Sequence, residues 1–265
     1  GLVTIGKCAF GLCTNLTEVT PALPDSVTSV GAYAFQGVPF AAGKRDIRLY
    51  GISTIEYGVF YQAPVTSATF GPGLKKLSCS WMNSALLDCV ALTNIVFDPA
   101  MSGGYCEGTT YGPFEGCNNV RKLDLSGFSS LAYHLDNGSS IGRFGTMNGV
   151  GEIMLGTNLT ALGKSIFNNM PGLTNVTFKG VPPTLLETPY ISGQSATKKV
   201  TTYIHSTKKS LANSEGKRWL DYAVNADIRA KGTTWAADYV TAEIDLSLRP
   251  LLTIEPDIGT VVVLR

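Results

Sequence analysis

Phenylalanine returns at a fixed interval near the start of this chain. Ile5-Gly6-Lys7-Cys8-Ala9-Phe10, Val30-Gly31-Ala32-Tyr33-Ala34-Phe35 and Ile55-Glu56-Tyr57-Gly58-Val59-Phe60 are copies of one segment, and their phenylalanines lie 25 residues apart. Looser copies end at Phe114, Phe144 and Phe167, with periods of about 23 to 30 residues. A unit this short cannot bury an aromatic ring by itself. Stacked on its neighbours it can, because each new unit covers the apolar edge of the last.

A second signature of the form L-x-x-L-x-L follows each Phe. Its seven copies are Leu16–Pro21, Asp46–Leu49, Val65–Phe70, Leu92–Phe97, Val120–Leu125, Val150–Leu155 and Leu173–Phe178. Over the last four positions apolar and polar residues alternate, the period-2 pattern of a half-buried strand. Each repeat is therefore expected to contribute one short strand, parallel to the next. The Gly-x-x-Ala-Phe piece is expected to be a compact helical or 3₁₀ turn that drops Phe10, Phe35, Phe60, Phe114, Phe144 and Phe167 into the interior. Trp81 to Asp88 lacks the Ala-Phe pair, and Met101 to Thr110 and Phe128 to Ser140 read as insertions that should bulge or kink the array.

Residues 26–35 and 10–19 resemble the repeat "sIGxxAFxxCxxLxxVxLP" of the bacterial BspA-like leucine-rich repeats, over roughly residues 2–180. The resemblance implies a β-rich repeat solenoid of right-handed, stacked parallel strands with short helical turns. It also places a C-terminal cap at residues 181–231, in which a strand around Val200–His205 precedes a short helix ending at Trp219. Residues 232–265 read as two or three further strands of unknown affiliation, through Trp235 to Leu246, Leu251 to Ile254 and Thr260 to Leu264.

Composition narrows the function. With 21 basic and 20 acidic side chains the formal charge is +1, which supplies no field for a polyanion and argues against nucleic acid as partner. Charged residues are only 15% of the chain, so Ser, Thr, Asn and Gly must carry much of the surface. No apolar run approaches the length that spans a bilayer. The chain opens on Gly1 without a basic or apolar leader, and a secretion signal is expected to have been trimmed.

Catalytic signatures are missing: there is no G-x-S-x-G elbow, P-loop, G-x-G-x-x-G after a strand, or H-E-x-x-H. His134 and His205, the two histidines, sit in no recognisable motif. Cys13, Cys89 and Cys117 share one register, three residues before Leu16, Leu92 and Val120, where the related repeats also place Cys. A shared register means a shared structural role, so all three are expected to be buried free thiols. Without C-x-x-C no zinc signal is present, and no cofactor or metal is expected. Lys198, Lys199, Lys208, Lys209, Lys217 and Arg218 form one basic cluster, read mainly as a solvated cap.

Binding is expected on the sheet surface, which in a solenoid is an extended platform. Outward positions form two columns, Glu18, Asp46, Ser67, Asn94, Lys122, Glu152 and Asn175 beside Thr20, Arg48, Thr69, Val96, Asp124, Met154 and Thr177. Glu18, Asp46, Arg48, Thr69, Asn94, Lys122, Asp124 and Glu152 are the candidate binding residues. Mixed charges and no ring suit a protein partner better than a sugar platform, although Tyr105, Tyr111 and Tyr133 lie in the insertions. The resemblance implies a secreted or cell-surface protein that adheres to a host or neighbouring-cell protein or glycoprotein. A passive display module is the alternative, and an unrecognised enzyme the third reading.

Overall fold

The computed structural model describes residues 1–19, 23–80, 83–101, 104–107, 112–131, 144–163, 166–167, 170–179, 185–186, 200–204 and 240–242. These form a parallel-strand solenoid in which each coil contributes two strands rather than the expected one. The four-residue strands predicted by the L-x-x-L-x-L motif form one face: β3 (Asp46–Leu49), β5 (Ser67–Phe70), β8 (Asn94–Phe97), β10 (Lys122–Leu125), β12 (Glu152–Leu155) and β14 (Asn175–Phe178). The order β3-β5-β8 makes one hydrogen-bonded sheet, and β10-β12-β14 continues beside β8 as a second. Two more parallel strands extend that second sheet, β16 (Val200–Ile204) on β14 and β17 (Val240–Ala242) on β16. The cap strand read at Val200 thus lies in register with the array, while the helix read before Trp219 lies outside the described residues.

The other face was not legible as strands. It runs β1 (Thr4–Ile5), β2 (Ser29–Val30), β4 (Thr54–Ile55), β6 (Lys76–Ser80), β9 (Gly104–Glu107), β11 (Phe128–Leu131), β13 (Ala161–Leu162) and β15 (Leu185–Leu186), all in parallel. Five of these eight are only two residues long, and in β1, β2, β4 and β13 one of the two is buried, too short for alternation to register. Two lie in segments read as insertions. Gly104–Glu107 and Phe128–Leu131 are ladder strands, and the irregularity there reduces to a register shift between Phe128 and Ser130. At Trp81–Asp88 a short strand β7 (Asn83–Ser84) folds back antiparallel on β6, and Ala85-Leu86 then takes the place of Ala-Phe.

The turn between the two faces is not helical. Its alternate N–H groups close tight turns onto the residue three back, as in Cys13 to Phe10 (3.1 Å), Val38 to Phe35 (3.3 Å), Ala63 to Phe60 (2.9 Å), Cys89 to Leu86 (3.3 Å) and Cys117 to Phe114 (3.1 Å). The third residue of each is left-handed: Leu12, Gly37, Gln62, Asp88 and Gly116 have φ between 55° and 80°. Positive φ at that place is the requirement of a type II turn. The intervening N–H groups leave the coil altogether. Cys8, Phe10 and Leu12 donate to the carbonyls of Ala32, Ala34 and Gln36 (2.9, 2.8 and 2.8 Å), and Tyr33, Phe35 and Gly37 repeat this onto Tyr57, Val59 and Tyr61. A helix would have spent these donors inside its own coil, whereas the turn uses them to bind the next one.

Between the faces runs a continuous core. Inward residues of the long strands, among them Leu49, Phe70, Leu123, Leu125, Ile153, Leu155, Val176 and Phe178, are buried, and the strand residues that alternate with them are not. Phe35 and Phe60, each 1% exposed, lie in a column of stacked rings with centroids 5.4 Å apart and planes 6° apart. Phe114, Phe144 and Phe167 are buried as expected. Phe10 is not: it stacks on Phe35 at 5.3 Å but is 39% exposed. Its ring is covered by Phe35 on one face.

The shared cysteine register divides as well. Cys89 and Cys117 are fully buried, and their Sγ–H groups donate to the carbonyls of Phe60 (3.0 Å) and Leu86 (3.1 Å) one coil earlier. Burial pushes the Cys117 thiol up to about 12 and raises that of Cys89 as well. Cys13 occupies the same turn position but is exposed, and the expectation of a buried thiol is corrected there.

Two measurements check this packing. Urea denaturation should show Phe35→Ala costing about 3 to 5 kcal/mol and Phe10→Ala about 1 kcal/mol or less; equal losses would contradict the difference in burial. Native thiol labelling read by mass spectrometry should modify Cys8 and Cys13 first and leave Cys89 and Cys117 until the chain unfolds.

Candidate binding face

Hydrogen-bonded register fixes which side chains share the long-strand face. Asp46, Ser67 and Asn94 face one another across β3, β5 and β8, with Arg48, Thr69 and Val96 two residues on. Across β10, β12 and β14 the rows are Lys122, Glu152 and Asn175, then Asp124, Met154 and Thr177. In backbone register β16 continues these rows, with Thr201 opposite Asn175 and Tyr203 opposite Thr177. Alternation forces this placement, since Ile47, Ala68, Ile95, Leu123, Ile153 and Val176 between the rows turn inward.

Seven of the eight candidates, all but Thr69, are exposed, and most already hold a neighbouring coil. Glu18, on a segment that forms no described strand, pairs with Lys44 at 2.9 Å. Asp46 accepts from the Thr66 hydroxyl (3.0 Å), and the Asn94 amide donates to the Ser67 hydroxyl (3.4 Å). Lys122 and Glu152 pair with each other at 3.0 Å, and Asp124 accepts the N–H of Ser126. Thr69 is half-exposed. Side chains more than 50% exposed, like Lys122 and Glu152, are worth only about 0.2 to 1 kcal/mol as a pair. Their removal therefore tests binding without unfolding the chain.

One cluster escaped the sequence reading. The Arg48 guanidinium lies 4.4 Å above the Tyr50 ring and 3.8 Å from Asp25, and the Tyr50 hydroxyl donates to Asp98 at 2.8 Å. That hydrogen bond, with the Asp98 charge behind it, holds the Tyr50 phenol above its ordinary range. Tyr50, Gly71 and Asp98 each follow a long strand in successive coils, so one register column brings tyrosine and acid together across the intervening glycine. A Cβ at Gly71 would collide with the Tyr50 carbonyl, so only glycine fits there. The signal was present as a column one place beyond the strand motif, outside the two columns read. Arginine and tyrosine held rigidly in this way resemble the residues that dominate protein interfaces.

His134, His205, Tyr111, Tyr133 and the basic cluster from Lys198 to Arg218 lie outside the described residues. Among the described residues no group of three or more His, Cys, Asp or Glu side chains is placed to hold a metal ion. No helix among them is long and apolar enough to cross a membrane.

Comparison with known proteins gives this architecture a family. Residues 1–103 and 53–187 match the family described as "BspA type Leucine rich repeat region", in six copies. Among solved structures the chain is similar to one titled "The Crystal structure of Pneumococcal vaccine antigen PcpA", at 12% identity and a TM-score of 0.35, covering 92% of this chain and 84% of that one. Among curated protein sequences none matches it. The family match takes in both the Gly-x-x-Ala-Phe turns and the strand motif over more than half of the sequence, and the chain belongs to the BspA-type leucine-rich repeat family.

Proposed function

We propose that this chain is a non-catalytic binding protein of a bacterial surface, secreted or cell-attached, that adheres to a protein or glycoprotein of a host or neighbouring cell. The observation that carries the reading is the long-strand face itself. Two sets of three parallel strands, each in register, present rows of exposed polar side chains, and the Arg48–Tyr50–Asp98 cluster adds an arginine and a tyrosine to that face. Membership of a repeat family that builds scaffolds rather than active sites supports it. Such a surface recognises by hydrogen bonds and scattered charge, and its contacts are spread over coils that the core holds at fixed spacing.

A second reading, a display module with no ligand of its own, is favoured by the ion pairs that candidates make with one another, Lys122 with Glu152 above all. A face whose charges are mutually satisfied has less to offer a partner.

Binding of the purified chain to immobilised matrix proteins, mucins and glycans separates the two, run beside the variant Arg48→Ala, Lys122→Ala, Glu152→Ala. The variant is expected to keep the parent's melting temperature to within a few degrees and to lose specific binding. Binding retained in full by the folded variant moves the site off this face, and no binding by the parent supports the display module.

A further inference from the structure

The long-strand face is broken between β8 and β10. Elsewhere on it the N–H that opens a strand reaches the carbonyl just ahead of the previous strand, as in Asn94 to Thr66 (3.4 Å), Glu152 to Arg121 (3.4 Å) and Asn175 to Gly151 (3.0 Å). The N–H just past a strand reaches the last carbonyl of the previous one, as in Gly71 to Leu49 (3.3 Å), Asp98 to Phe70 (2.9 Å) and Lys179 to Leu155 (2.8 Å). Between β8 and β10 neither bond is made. Among the described residues no backbone donor reaches the carbonyls of Thr93 or Phe97, and no ladder joins the two strands. The Ser126 N–H, counterpart of those of Gly71 and Asp98, turns back to the Asp124 carboxylate (3.0 Å). Side chains follow the same division: Asn94 reaches Ser67, Asp98 accepts from Tyr50, and Lys122 pairs with Glu152, all away from the seam.

On their other side the same two coils are firmly joined. β6 and β9 pair in parallel at Lys76–Tyr105, Leu77–Cys106 and Ser78–Glu107. In the turn, Leu86 and Asp88 donate to the carbonyls of Pro113 and Glu115 (3.0 and 2.9 Å), and the Asn119 amide donates to that of Val90 (2.8 Å). What spans the seam itself is the Phe97 ring, which meets Phe128 and Phe114 edge-on at 4.9 and 6.4 Å. Phe97 is half-buried, whereas Leu49, Phe70, Leu125, Leu155 and Phe178, at the same place in their strands, are buried. Edge-on rings tolerate centroid separations of about 4.5 to 7 Å, while ladder bonds hold strands at about 4.8 Å. Bonds along one side and rings along the other leave a single direction in which the two coils can part.

We propose that the seam between β8 and β10 is a hinge. The halves β3-β5-β8 and β10-β12-β14 swing as rigid bodies, pivoting on the β6–β9 ladder and the turn beside it, while Phe97 slides against Phe114 and Phe128. Each half keeps the fixed rows that its register gives it, and the hinge sets only the angle between them. A partner touching both halves would hold one angle; that consequence rests on the binding reading above, and the hinge itself does not.

Spin-label distance measurements on the ligand-free chain test it, with labels attached through an introduced ketone amino acid that spares the native thiols. One pair replaces Ser67 and Asn175, on β5 and β14 of the long-strand face. The other replaces Thr54 and Ala161, on β4 and β13 of the same two coils but on the pivot side. Both proteins should melt in one transition within a few degrees of the parent. The distance distribution of the Ser67/Asn175 pair should be at least about twofold wider than that of the pivot pair. Amide exchange supplies the second readout: the N–H groups of Lys122 and Asp124 should exchange at least about tenfold faster than those of Asn94 and Glu152. Equal widths overturn the hinge, whether or not the seam amides are protected. A wider distribution with Lys122 and Asp124 protected as well as Glu152 also overturns it, since the motion then lies away from the seam.

Discussion

Close approach of one coil's backbone to the next is the constraint on which the rest of this molecule depends. Strands on two faces and a turn between them all bond to neighbouring coils, while among the described residues the backbone bonds within a coil are short turns, such as Ala63 to Phe60, Leu74 to Gly71 and Met101 to Asp98. That is why the turn is not a helix. Positive φ at Leu12, Gly37, Gln62, Asp88 and Gly116 turns every second N–H out of the coil, at a steric cost that the non-glycine residues bear because the outgoing bond repays it.

From this follow the aromatic column and the cysteine register. Coils held at strand spacing place their phenylalanines at stacking distance, so Phe10, Phe35 and Phe60 form a column rather than separate contacts. They also leave room at the end of the turn for only a small side chain, which Cys89, Ala63, Val38 and Cys117 provide. At that position Cys89 and Cys117 gain a carbonyl acceptor one coil back, and burial makes these two thiols inert.

The same rigidity shapes the proposed binding face. Its rows are defined by register, so residues 20 to 30 apart in sequence stand side by side, and a partner would meet a fixed pattern rather than an adaptable loop surface. Arg48, Tyr50 and Asp98 show how far this reaches, with Arg48 stacked on Tyr50 in one coil and the Tyr50 hydroxyl bonded across the next coil to Asp98 in the one beyond.

The sequence by itself determined the repeat, the family resemblance, six of the seven strands read from the L-x-x-L-x-L motif (the copy at Leu16–Pro21 forms no described strand) and the division of their residues into inward and outward rows, because a period of 25 and an alternation of two are both written in apolar side chains. It also placed Phe35, Phe60, Cys89 and Cys117 in the core. The second face was hidden, since two-residue strands such as Ser29–Val30 are made by backbone bonds between coils and leave almost no side-chain pattern. Gly104–Glu107 and Phe128–Leu131 looked like insertions for that reason. Phe10 and Cys13 carry the same letters as their buried counterparts yet are exposed. Burial in a solenoid depends on packing from both sides, and only the tertiary structure shows where that packing is made.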